Sequence, residues 1–561
     1  MSSGKWQELA KAKREQLQQG IPKEWTISPR SESNVLQIPG ECGVLSSQEL
    51  EITSLSDVSV LLRNIATAKW SSLEVTRAFC KRAAIAHQVT NCLTDAFFDS
   101  ALKKAAELDD YLQRNGKVVG PLHGLPISLK DQFQVKGYPT PMGYTSWLDK
   151  VAEEDAVVVQ ILRESGAVIY VRTNVPQTLM WTETYNNVYG RTVNPFNTSL
   201  TPGGSSGGEA ALLAMHGSIL GLGTDIGGSS RLPAHFCGVY GFKPSYHRLP
   251  WYGAVNSLDG QESISTVVGP MSTSMSGLQI ITKAILDAKP WRKDPQALRK
   301  PWDHEGYALS EHVGGKRLCF GIMWDDGTLK PHPPVLRALR QVKGALEAAG
   351  HSVIDWTPYK HGEIYDVTRA IWYADGGEDY EACLSPTGEP LINSMKPGAD
   401  PHEVVAHRKP REPLSAYKLW QLHKQKRRLR KEHLDRWEST SSRTGTGRPI
   451  DALLCPVAPY VAVPHGQTRS AVYTMIWNAL DYPALAIPVT KVDPSVDTVQ
   501  SRERFFSPDD ETLHKLYDPE IFKGVPVGIQ LVTQPQEEEA LLAMGQIVDD
   551  AIRKPSETCG L

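Results

Sequence analysis

Residues 201–231 read TPGGSSGGEAALLAMHGSILGLGTDIGGSSR, and this stretch contains two serine pairs flanked by glycine. The pairs are Ser205-Ser206 and Ser229-Ser230, and a segment of small and apolar residues joins them. Glycine removes side chains from the backbone, so a substrate can approach the peptide N–H groups closely. A serine hydroxyl acts as a nucleophile or a proton relay when a base lies nearby. The stretch therefore indicates a site for acyl transfer, and we expect the rest of the fold to be organised around it.

The candidate base lies upstream, in residues 121–131, which read PLHGLPISLKD. This short apolar run is bounded by Gly and Pro, as buried strands often are, and Lys130 stands near its end. Burial disfavours the charged form of a lysine, so Lys130 is predicted to reach its neutral form and to accept a proton. We expect the adjacent Asp131 to face away from the amine, because neighbouring residues of a strand point in opposite directions.

Strand and helix patterns alternate along the chain. Besides 121–130, the predicted strands are 167–171, 317–323, 352–356, 452–457, 485–489 and 527–532. The predicted helices are 4–19, 56–68, 71–87, 100–114, 155–165, 333–349 and 537–552. Ser71 and Glu74 have the spacing of a capping box at the start of one helix. This alternation predicts an α/β architecture with a largely buried sheet.

Three segments depart from this alternation. Residues 1–50 are predicted to form a helical arm followed by a connector rich in Pro, Gly and Ser. Residues 363–446 are polar, include the run LHKQKRRLRKEHLDRW and interrupt the spacing of the strands. They are interpreted either as a lid or substrate-facing insertion or as a solvated helical face. Residues 493–514 have the composition of a surface loop.

The composition is that of a soluble globular protein. Of the 561 residues, 40% are hydrophobic and 22% are charged, and the formal net charge is -3. A charge so close to zero gives no reason to expect nucleic acid or an anionic membrane as a partner. No apolar run approaches the roughly 20 residues of a membrane span, and the N-terminus is too polar for a secretory signal. We therefore expect a cytoplasmic protein without a membrane span.

The eight cysteines are scattered, without a CxxC pair and without the spacing of metal ligands. This distribution is typical of reduced, mostly buried cysteines in a reducing compartment. We expect neither a metal nor an organic cofactor.

Two other chemistries use similar loops but match less well. A nucleotide site needs GxxxxGK[ST] or GxGxxG; the first is absent, and Ile226 stands where the last glycine of the second belongs. Residues 203–207 satisfy the GxSxG pattern of an α/β-hydrolase elbow, which would belong to a Ser-His-Asp esterase. An elbow requires a strand directly before its serine, whereas the residues before Ser205 have turn composition, and no later His has a recognisable context.

Three runs together carry a resemblance to a known family. They are PLHGLPISLKD at 121–131, TPGGSSGGEAALL at 201–213 and GTDIGGSSRLPAHFCGVYGFKPS at 223–245. Their order and separation resemble the amidase signature family, and the resemblance continues over most of 50–550. The patterns KWQELAKAKREQ and VRTNVPQTLMW are most similar to fungal acetamidase-like general amidases. The resemblance implies a single large domain, here residues 51–561, with a central mixed β-sheet surrounded by helices.

The resemblance also implies roles for three polar side chains. Ser229 would attack the carbonyl carbon of an amide and form an acyl-enzyme, and Lys130 would be the base. Ser205, which is held by a cis peptide in this family, would relay the proton between them. The products would be a carboxylate and an amine or ammonia.

By the same resemblance, the oxyanion hole would be formed by the backbone N–H groups of Ile226, Gly227, Gly228 and Ser229. Ser206, Asp225 and Arg231 would orient this loop, with ordinary loop capping as the alternative. Leu179 and Met180 fall in the segment that lines the acyl pocket of relatives, with plain core packing as the alternative.

The implied substrate is a small-molecule carboxylic amide, and three other functions stay open. One is a glutamine-type amidotransferase subunit, although the chain has no obvious extension for binding a partner. Another is the Ser-His-Asp esterase described above. The last is a non-catalytic binding protein, which the intact Lys130, Ser205 and Ser229 disfavour. A homodimer is the assembly left open.

Overall fold

The centre of the molecule is a twisted sheet, seen in a computed structural model that describes residues 4–403 and 412–554. Within these residues, eleven strands form one mixed sheet and two short strands form a separate hairpin. The strands are β1 Leu93–Ala96, β2 Pro126–Lys130, β3 Val168–Thr173, β4 Tyr185–Asn186, β5 Gly190–Arg191, β6 Leu220–Asp225, β7 Tyr240–Lys243, β8 Val267–Ser272, β9 Cys319–Ile322, β10 Ser352–Asp355, β11 Ala452–Pro456, β12 Ala484–Lys491 and β13 Pro526–Val532.

The order of strands across the large sheet is β1-β3-β2-β6-β8-β7-β12-β13-β11-β9-β10. The pairs β3/β2, β2/β6, β11/β9 and β9/β10 are parallel, whereas the remaining pairs are antiparallel. The hairpin consists of β4 and β5. Most strand residues are buried on both faces, as expected when helices cover both sides of a sheet.

Helices of four to 23 residues surround this sheet. They are α1 Lys5–Gln19, α2 Ile38–Glu41, α3 Ser47–Ser54, α4 Val58–Ala66, α5 Ser72–Thr90, α6 Phe98–Asn115, α7 Val157–Glu164, α8 Gly207–Ala214, α9 Arg231–Cys237, α10 Met275–Asp287, α11 His304–Tyr307, α12 Pro333–Ala348, α13 His361–Trp372, α14 Glu378–Leu384, α15 Ala416–Glu438, α16 Val472–Leu480, α17 Pro508–Leu516 and α18 Glu538–Arg553. The predicted α/β architecture with a central mixed sheet is confirmed.

Among the described residues, two helices begin with a capping box, and one of these boxes was predicted from the sequence. The Ser71 side chain accepts from the N–H of Glu74, and the Glu74 carboxylate accepts from the N–H of Ser71, which completes the predicted capping box. A second capping box joins Ser46 and Glu49 at the start of α3. Each box satisfies backbone donors that a helix start leaves unpaired.

The predicted arm (1–50) and the predicted insertion (363–446) each contact the rest of the fold through buried polar groups. In α1, the Lys13 ammonium donates to Asp95 Oδ1 at 2.7 Å, and both side chains are buried. In the segment 363–446, the Glu389 carboxylate accepts from the N–H of Thr145 at 2.7 Å and from Gln177 Nε2 at 2.6 Å. Part of that segment, 404–411, lies outside the described residues.

The predicted surface loop 493–514 is wrong in its last third, because α17 begins there at Pro508. Its start is capped by Ser507, whose side chain accepts from the N–H of Asp510. Asp510 is itself buried and accepts from the N–H of Lys330 at 2.9 Å, so this end of the segment is fixed to the body.

The sheet topology determines where the functional side chains meet. Strands β2 and β6 are parallel neighbours, with Ser128 opposite Gly221. The carboxyl ends of parallel neighbours lie at the same edge of a sheet. Lys130 is the last residue of β2 and Asp225 is the last residue of β6, so the two predicted motifs are brought together at this edge.

None of the helices in the described part of the chain combines the length and the apolar composition that a bilayer crossing requires. Its seven cysteines are unpaired, and six of them are buried, whereas Cys42 is partly exposed; Cys559 lies outside the described residues.

Candidate active site

Lys130 is a fully buried amine that holds two hydroxyl groups. Its Nζ atom donates to Ser205 Oγ at 2.7 Å and to Thr224 Oγ1 at 2.7 Å. The Thr224 hydroxyl donates a hydrogen bond to Gln132 Oε1 at 2.7 Å. Because the Thr224 proton is directed at Gln132, the Thr224 oxygen can only accept from Lys130, and this arrangement orients the amine towards Ser205.

The environment of Lys130 favours its neutral form. Burial lowers the pKa of Lys130 from 10.5 to about 7, while the negative charges of Asp225 and Glu209 act in the opposite direction. Asp131 does not contribute, since its carboxylate lies 3.7 Å from the guanidinium of Arg172. The expected orientation of Asp131 away from the amine is therefore what the structure has. A lysine with a pKa near 7 can exchange protons at neutral pH.

A buried carboxyl group, Glu209, sits behind the lysine strand. It accepts a short hydrogen bond from the Ser128 hydroxyl and another of 2.8 Å from Thr173 Oγ1. Burial raises the pKa of Glu209 to about 7, against the effect of these two hydrogen bonds. A β-carbon at Gly221 would lie 1.9 Å from Glu209 Oε1, so the glycine in β6 leaves the space that this carboxyl group fills.

Ser205 follows a glycine pair whose backbone is tightly enclosed. The Gly204–Ser205 peptide is cis, and Gly203 has φ +87. A β-carbon at Gly204 would lie 2.4 Å from the carbonyl oxygen of Glu183, so no larger residue fits there. The neighbouring Ser206 joins the two serine motifs directly, because its N–H donates to the carbonyl oxygen of Ser229 at 3.0 Å.

Ser229 stands in the turn between β6 and α9, and Asp225 holds this turn in shape. The Asp225 carboxylate accepts from the N–H of Gly228 at 2.8 Å. It also accepts from the N–H of Ser230 at 3.3 Å and from the Ser230 hydroxyl at 3.0 Å. Donors on both sides of Ser229 are thus tied to one carboxylate.

The four N–H groups predicted for the oxyanion hole differ in their hydrogen bonding. The N–H of Gly228 donates to Asp225 Oδ1 at 2.8 Å. The N–H groups of Ile226, Gly227 and Ser229 make no hydrogen bond to any described residue. These three donors therefore remain as the candidates for an oxyanion hole.

Arg231 balances the buried Asp225 and ties the turn to the other half of the sheet. Its guanidinium makes a bidentate pair with the carboxylate, with both distances at 3.0 Å. It also donates to Asn478 Oδ1 at 2.7 Å and to Gln530 Oε1 at 2.9 Å. Burial alone would raise the pKa of Asp225, but Arg231 outweighs it and holds that pKa below the ordinary range. Asp225 is therefore ionised at every working pH.

Helix α16 fixes the glycines of the turn from the opposite side. The Thr474 hydroxyl donates to the carbonyl oxygen of Gly227 at 2.7 Å. Gly228 has φ +124, and a β-carbon there would lie 2.3 Å from Thr474 Oγ1. Both the backbone conformation and the lack of space require glycine at this position.

A cavity of about 560 Å³ opens onto Ser229. Its wall includes Ser229 and the predicted pocket residues Leu179 and Met180. Three residues of α13 also line it, namely Tyr365, Arg369 and Trp372. Part of the segment 363–446 therefore faces the cavity, whereas α15, which carries the basic run, has an exposed face and buries only Leu429, His433 and Trp437.

Known proteins resemble this chain over most of its length. A family model described as Amidase matches residues 74–542. An acetamidase of Emericella nidulans is 42% identical over 545 residues, which cover 97% of each chain.

The chain belongs to the amidase family.

Two further relatives support this membership. An acetamidase of Aspergillus oryzae is 42% identical over 550 residues, covering 98% of this chain and 99% of the relative. A solved structure of a fatty acid amide hydrolase superposes with a TM-score of 0.88 at 33% identity, covering 97% of this amidase and 95% of that chain. The resemblance to acetamidase-like amidases is thereby confirmed.

Several polar residues of this amidase site were not predicted from sequence. Thr224 and Gln132 hold the lysine, and Asn478 and Gln530 hold Arg231. Gln530 had a usable signal, because it is the one polar side chain in the buried run PVGIQLV. No metal-binding group of three His, Cys, Asp or Glu side chains occurs in 4–403 or 412–554.

Proposed function

We propose that this amidase hydrolyses carboxylic amides through an acyl-enzyme on Ser229, with Ser205 as the proton relay and Lys130 as the base. The observation that carries the proposal is the 2.7 Å hydrogen bond between Lys130 Nζ and Ser205 Oγ beside a cavity that reaches Ser229. The lowered pKa of Lys130 adds support, because a base must be neutral to act.

In the acylation step, Ser229 Oγ forms a bond to the carbonyl carbon of the amide. The hydroxyl proton of Ser229 passes to Ser205 Oγ, and the proton of Ser205 passes to the neutral Lys130 amine. The resulting lysine ammonium then returns a proton through Ser205 to the leaving nitrogen. This transfer allows the C–N bond to break and an amine or ammonia to depart.

The negative charge that develops on the carbonyl oxygen needs donors placed in advance. In this proposal they are the N–H groups of Ile226, Gly227 and Ser229. Asp225 and Arg231 act through the backbone, since they hold the shape of the turn that carries these donors.

In the deacylation step, water takes the place of the amine. Lys130, neutral again, accepts a water proton through Ser205 while the water oxygen attacks the acyl carbon. Collapse of the second oxyanion breaks the bond to Ser229 Oγ, which takes its proton back along the same path. The released carboxylic acid loses its remaining proton to water and becomes a carboxylate, and the enzyme returns to its starting protonation state.

The division of the chain and its location are also proposals. Residues 51–561 would form the catalytic domain, with 1–50 as an arm and 363–446 as an insertion that contributes to the cavity. The composition supports a cytoplasmic enzyme, and recovery of the enzyme in the membrane pellet of a cell lysate would contradict that location.

Reaction with a fluorophosphonate, followed by peptide mapping, tests the nucleophile. We expect a single adduct on Ser229, with ammonia released from simple amides by the unlabelled enzyme. An adduct on Ser205 would support the elbow-type esterase. Ammonia release that depends on glutamine and on a partner protein would support an amidotransferase subunit.

A further inference from the structure

Helix α13 presents a polar and aromatic face to the cavity. Tyr365, Arg369 and Trp372 are spaced by four and three residues, so they share one side of the helix, and all three line the cavity that reaches Ser229. The sequence motifs of the family lie elsewhere in the chain, so this face is a property of the segment 363–446.

Arg369 is a half-buried cation that forms no ion pair with the described residues. Its guanidinium carbon lies 5.6 Å from the ring centre of Tyr365 and 5.8 Å from that of Tyr373, so it is held between aromatic faces. No carboxylate of the described residues lies within 4 Å of it. A guanidinium in this position is suited to bind a carboxylate with two parallel hydrogen bonds.

The other charged groups of the cavity wall do not neutralise Arg369. The Glu183 carboxylate accepts from the N–H of Gly466 at 2.9 Å and from Thr468 Oγ1 at 2.9 Å, so its oxygens are occupied. Arg469 and Asp509 are exposed and lie at the mouth of the cavity. The inner part of the cavity therefore keeps one unmatched positive charge.

Trp372 adds aromatic surface on the same face. The side chain is 7% exposed, and its Nε1 is buried, so the ring and not the N–H faces the cavity. A β-carbon at Gly227 would lie 2.8 Å from Trp372 Cη2 and 3.6 Å from Cζ2, so the ring packs against the turn that carries Ser229.

The volume and lining residues of the cavity indicate the size and shape of the substrate. About 560 Å³ is within the range of sites for drug-sized ligands, which is far more than a two-carbon amide fills. Leu179, Met180 and Met475 supply apolar surface, while the rings of α13 supply flat surface.

We infer that this enzyme is specific for amides of aromatic acids that also carry a carboxylate, which Arg369 binds. The inference rests on the proposed amide hydrolysis and names the substrate class of that same site. The amide then lies at Ser229, the aromatic body fills the apolar part of the cavity, and the carboxylate replaces the missing counter-ion of Arg369.

The test compares matched amides. One is phenylacetamide with a carboxylate at the meta or para position of the ring, and the other has a neutral nitro group of similar shape at the same position. For the wild-type enzyme we expect kcat/KM, measured as ammonia release, to be at least about 10-fold higher with the carboxylate at one position. The Arg369→Gln variant should lower this carboxylate-to-nitro ratio by about 10-fold to 100-fold.

Two more variants make the result specific. Arg369→Lys keeps the charge but loses the bidentate geometry, so its ratio should lie between those of the wild type and Arg369→Gln. Arg427→Gln removes an exposed charge from α15 and should leave the ratio unchanged. A wild-type ratio near one, or a ratio that Arg369→Gln does not alter, overturns the inference alone. Failure to hydrolyse any of the amides overturns the proposed function as well.

Discussion

The amine of Lys130 and the hydroxyl of Ser205 are joined by a 2.7 Å hydrogen bond although 75 residues separate them in the chain. The pair is sealed from water, with Lys130 fully buried and Ser205 2% exposed. In such surroundings a charged lysine costs more free energy than a neutral one. In the proposed mechanism, the reactivity of the site therefore depends on the protonation of a single amine.

The pH dependence of activity follows from that amine. Lys130 acts in its neutral form, and burial lowers its pKa to about 7, so kcat/KM should rise by about tenfold per pH unit below pH 7 and level off above about pH 8. The measurement is kcat/KM for a neutral amide between pH 5 and 9. In Glu209→Gln the rising limb should move to lower pH, because the negative charge of Glu209 raises the pKa of Lys130. A profile that falls through neutral pH would contradict the lysine base.

Substitutions of Lys130 show whether its positive charge or its ability to lose a proton is needed for activity. Lys130→Ala and Lys130→Arg should both lose amide hydrolysis by at least about 100-fold, since guanidinium does not deprotonate. Thr224→Val removes the second partner of the amine and should lower kcat by a smaller factor. Steady-state kinetics on a simple amide provides the measurement, and near wild-type turnover by Lys130→Arg would remove lysine from the mechanism.

The turn glycine provides a steric test. Gly228→Ala puts a β-carbon 2.3 Å from Thr474 Oγ1 at φ +124, so we expect at least about 100-fold loss of kcat and about 1–3 kcal/mol loss of stability. Gly344→Ala is the matched control, because it lies exposed in α12 with open space around it and should stabilise the protein by about 0.5–1 kcal/mol. Equal behaviour of the two variants would argue against a rigid turn.

Removal of Arg231 should be costly because of the charge it leaves behind. Arg231→Met strands a buried carboxylate at Asp225, and we expect a loss of about 3–5 kcal/mol in the free energy of unfolding. Adding Asp225→Asn in the same chain should recover part of that stability, but not the activity, since the turn has lost its anchor. Denaturant titration measures the first effect; if the single variant proves as stable as Arg427→Met, the pair does not stabilise the fold.

Activity should not depend on a metal. Overnight treatment with a chelator should leave kcat/KM unchanged, because the proposed proton transfers use only Lys130, Ser205 and Ser229. Loss of activity that zinc restores would require a different mechanism.

The parts of this structure that could be predicted from sequence are those with strong local signals. Strand β2 and helices such as α5 and α12 were predicted because an apolar run or a helical period marks them. The lysine and the two serines could be proposed as reacting groups because their glycine-rich surroundings suit few other chemistries. These signals operate over short stretches of chain.

Three neighbouring strands of the sheet, β6, β8 and β7, had no such signal. Strand β6 reads LGLGTD, and its glycines lower the strand tendency of the run. A tertiary contact requires one of these glycines, since a β-carbon at Gly223 would lie 2.8 Å from Ser206 Oγ. Strand β7 has only four residues, and all nine residues of helix α16 are buried, so α16 has no solvent-exposed polar face.

The hydrogen bonding of the turn around Ser229 also depends on tertiary structure. The sequence shows that glycines surround Ser229, but it does not show which N–H groups Asp225 occupies. That depends on the backbone path of the turn between β6 and α9, which only the folded chain defines. The contribution of α13 to the cavity was likewise beyond sequence reasoning, because it depends on how the segment 363–446 packs.

The order of strands has a consequence for synthesis on the ribosome. Strands β1, β3, β2, β6, β8 and β7 all lie before residue 273, and the edge at β7 is covered only when β12 pairs with it. Gln530, which accepts a hydrogen bond from Arg231 beside the turn between β6 and α9, lies 299 residues further along the chain than Arg231. At roughly 5–20 residues per second, this gap takes about 15–60 s to translate. For most of that period, until β12 (Ala484–Lys491) is made, the nascent half-sheet carries an open edge available to other chains. The growing chain is therefore most exposed to aggregation or to chaperone binding before its own C-terminal third emerges.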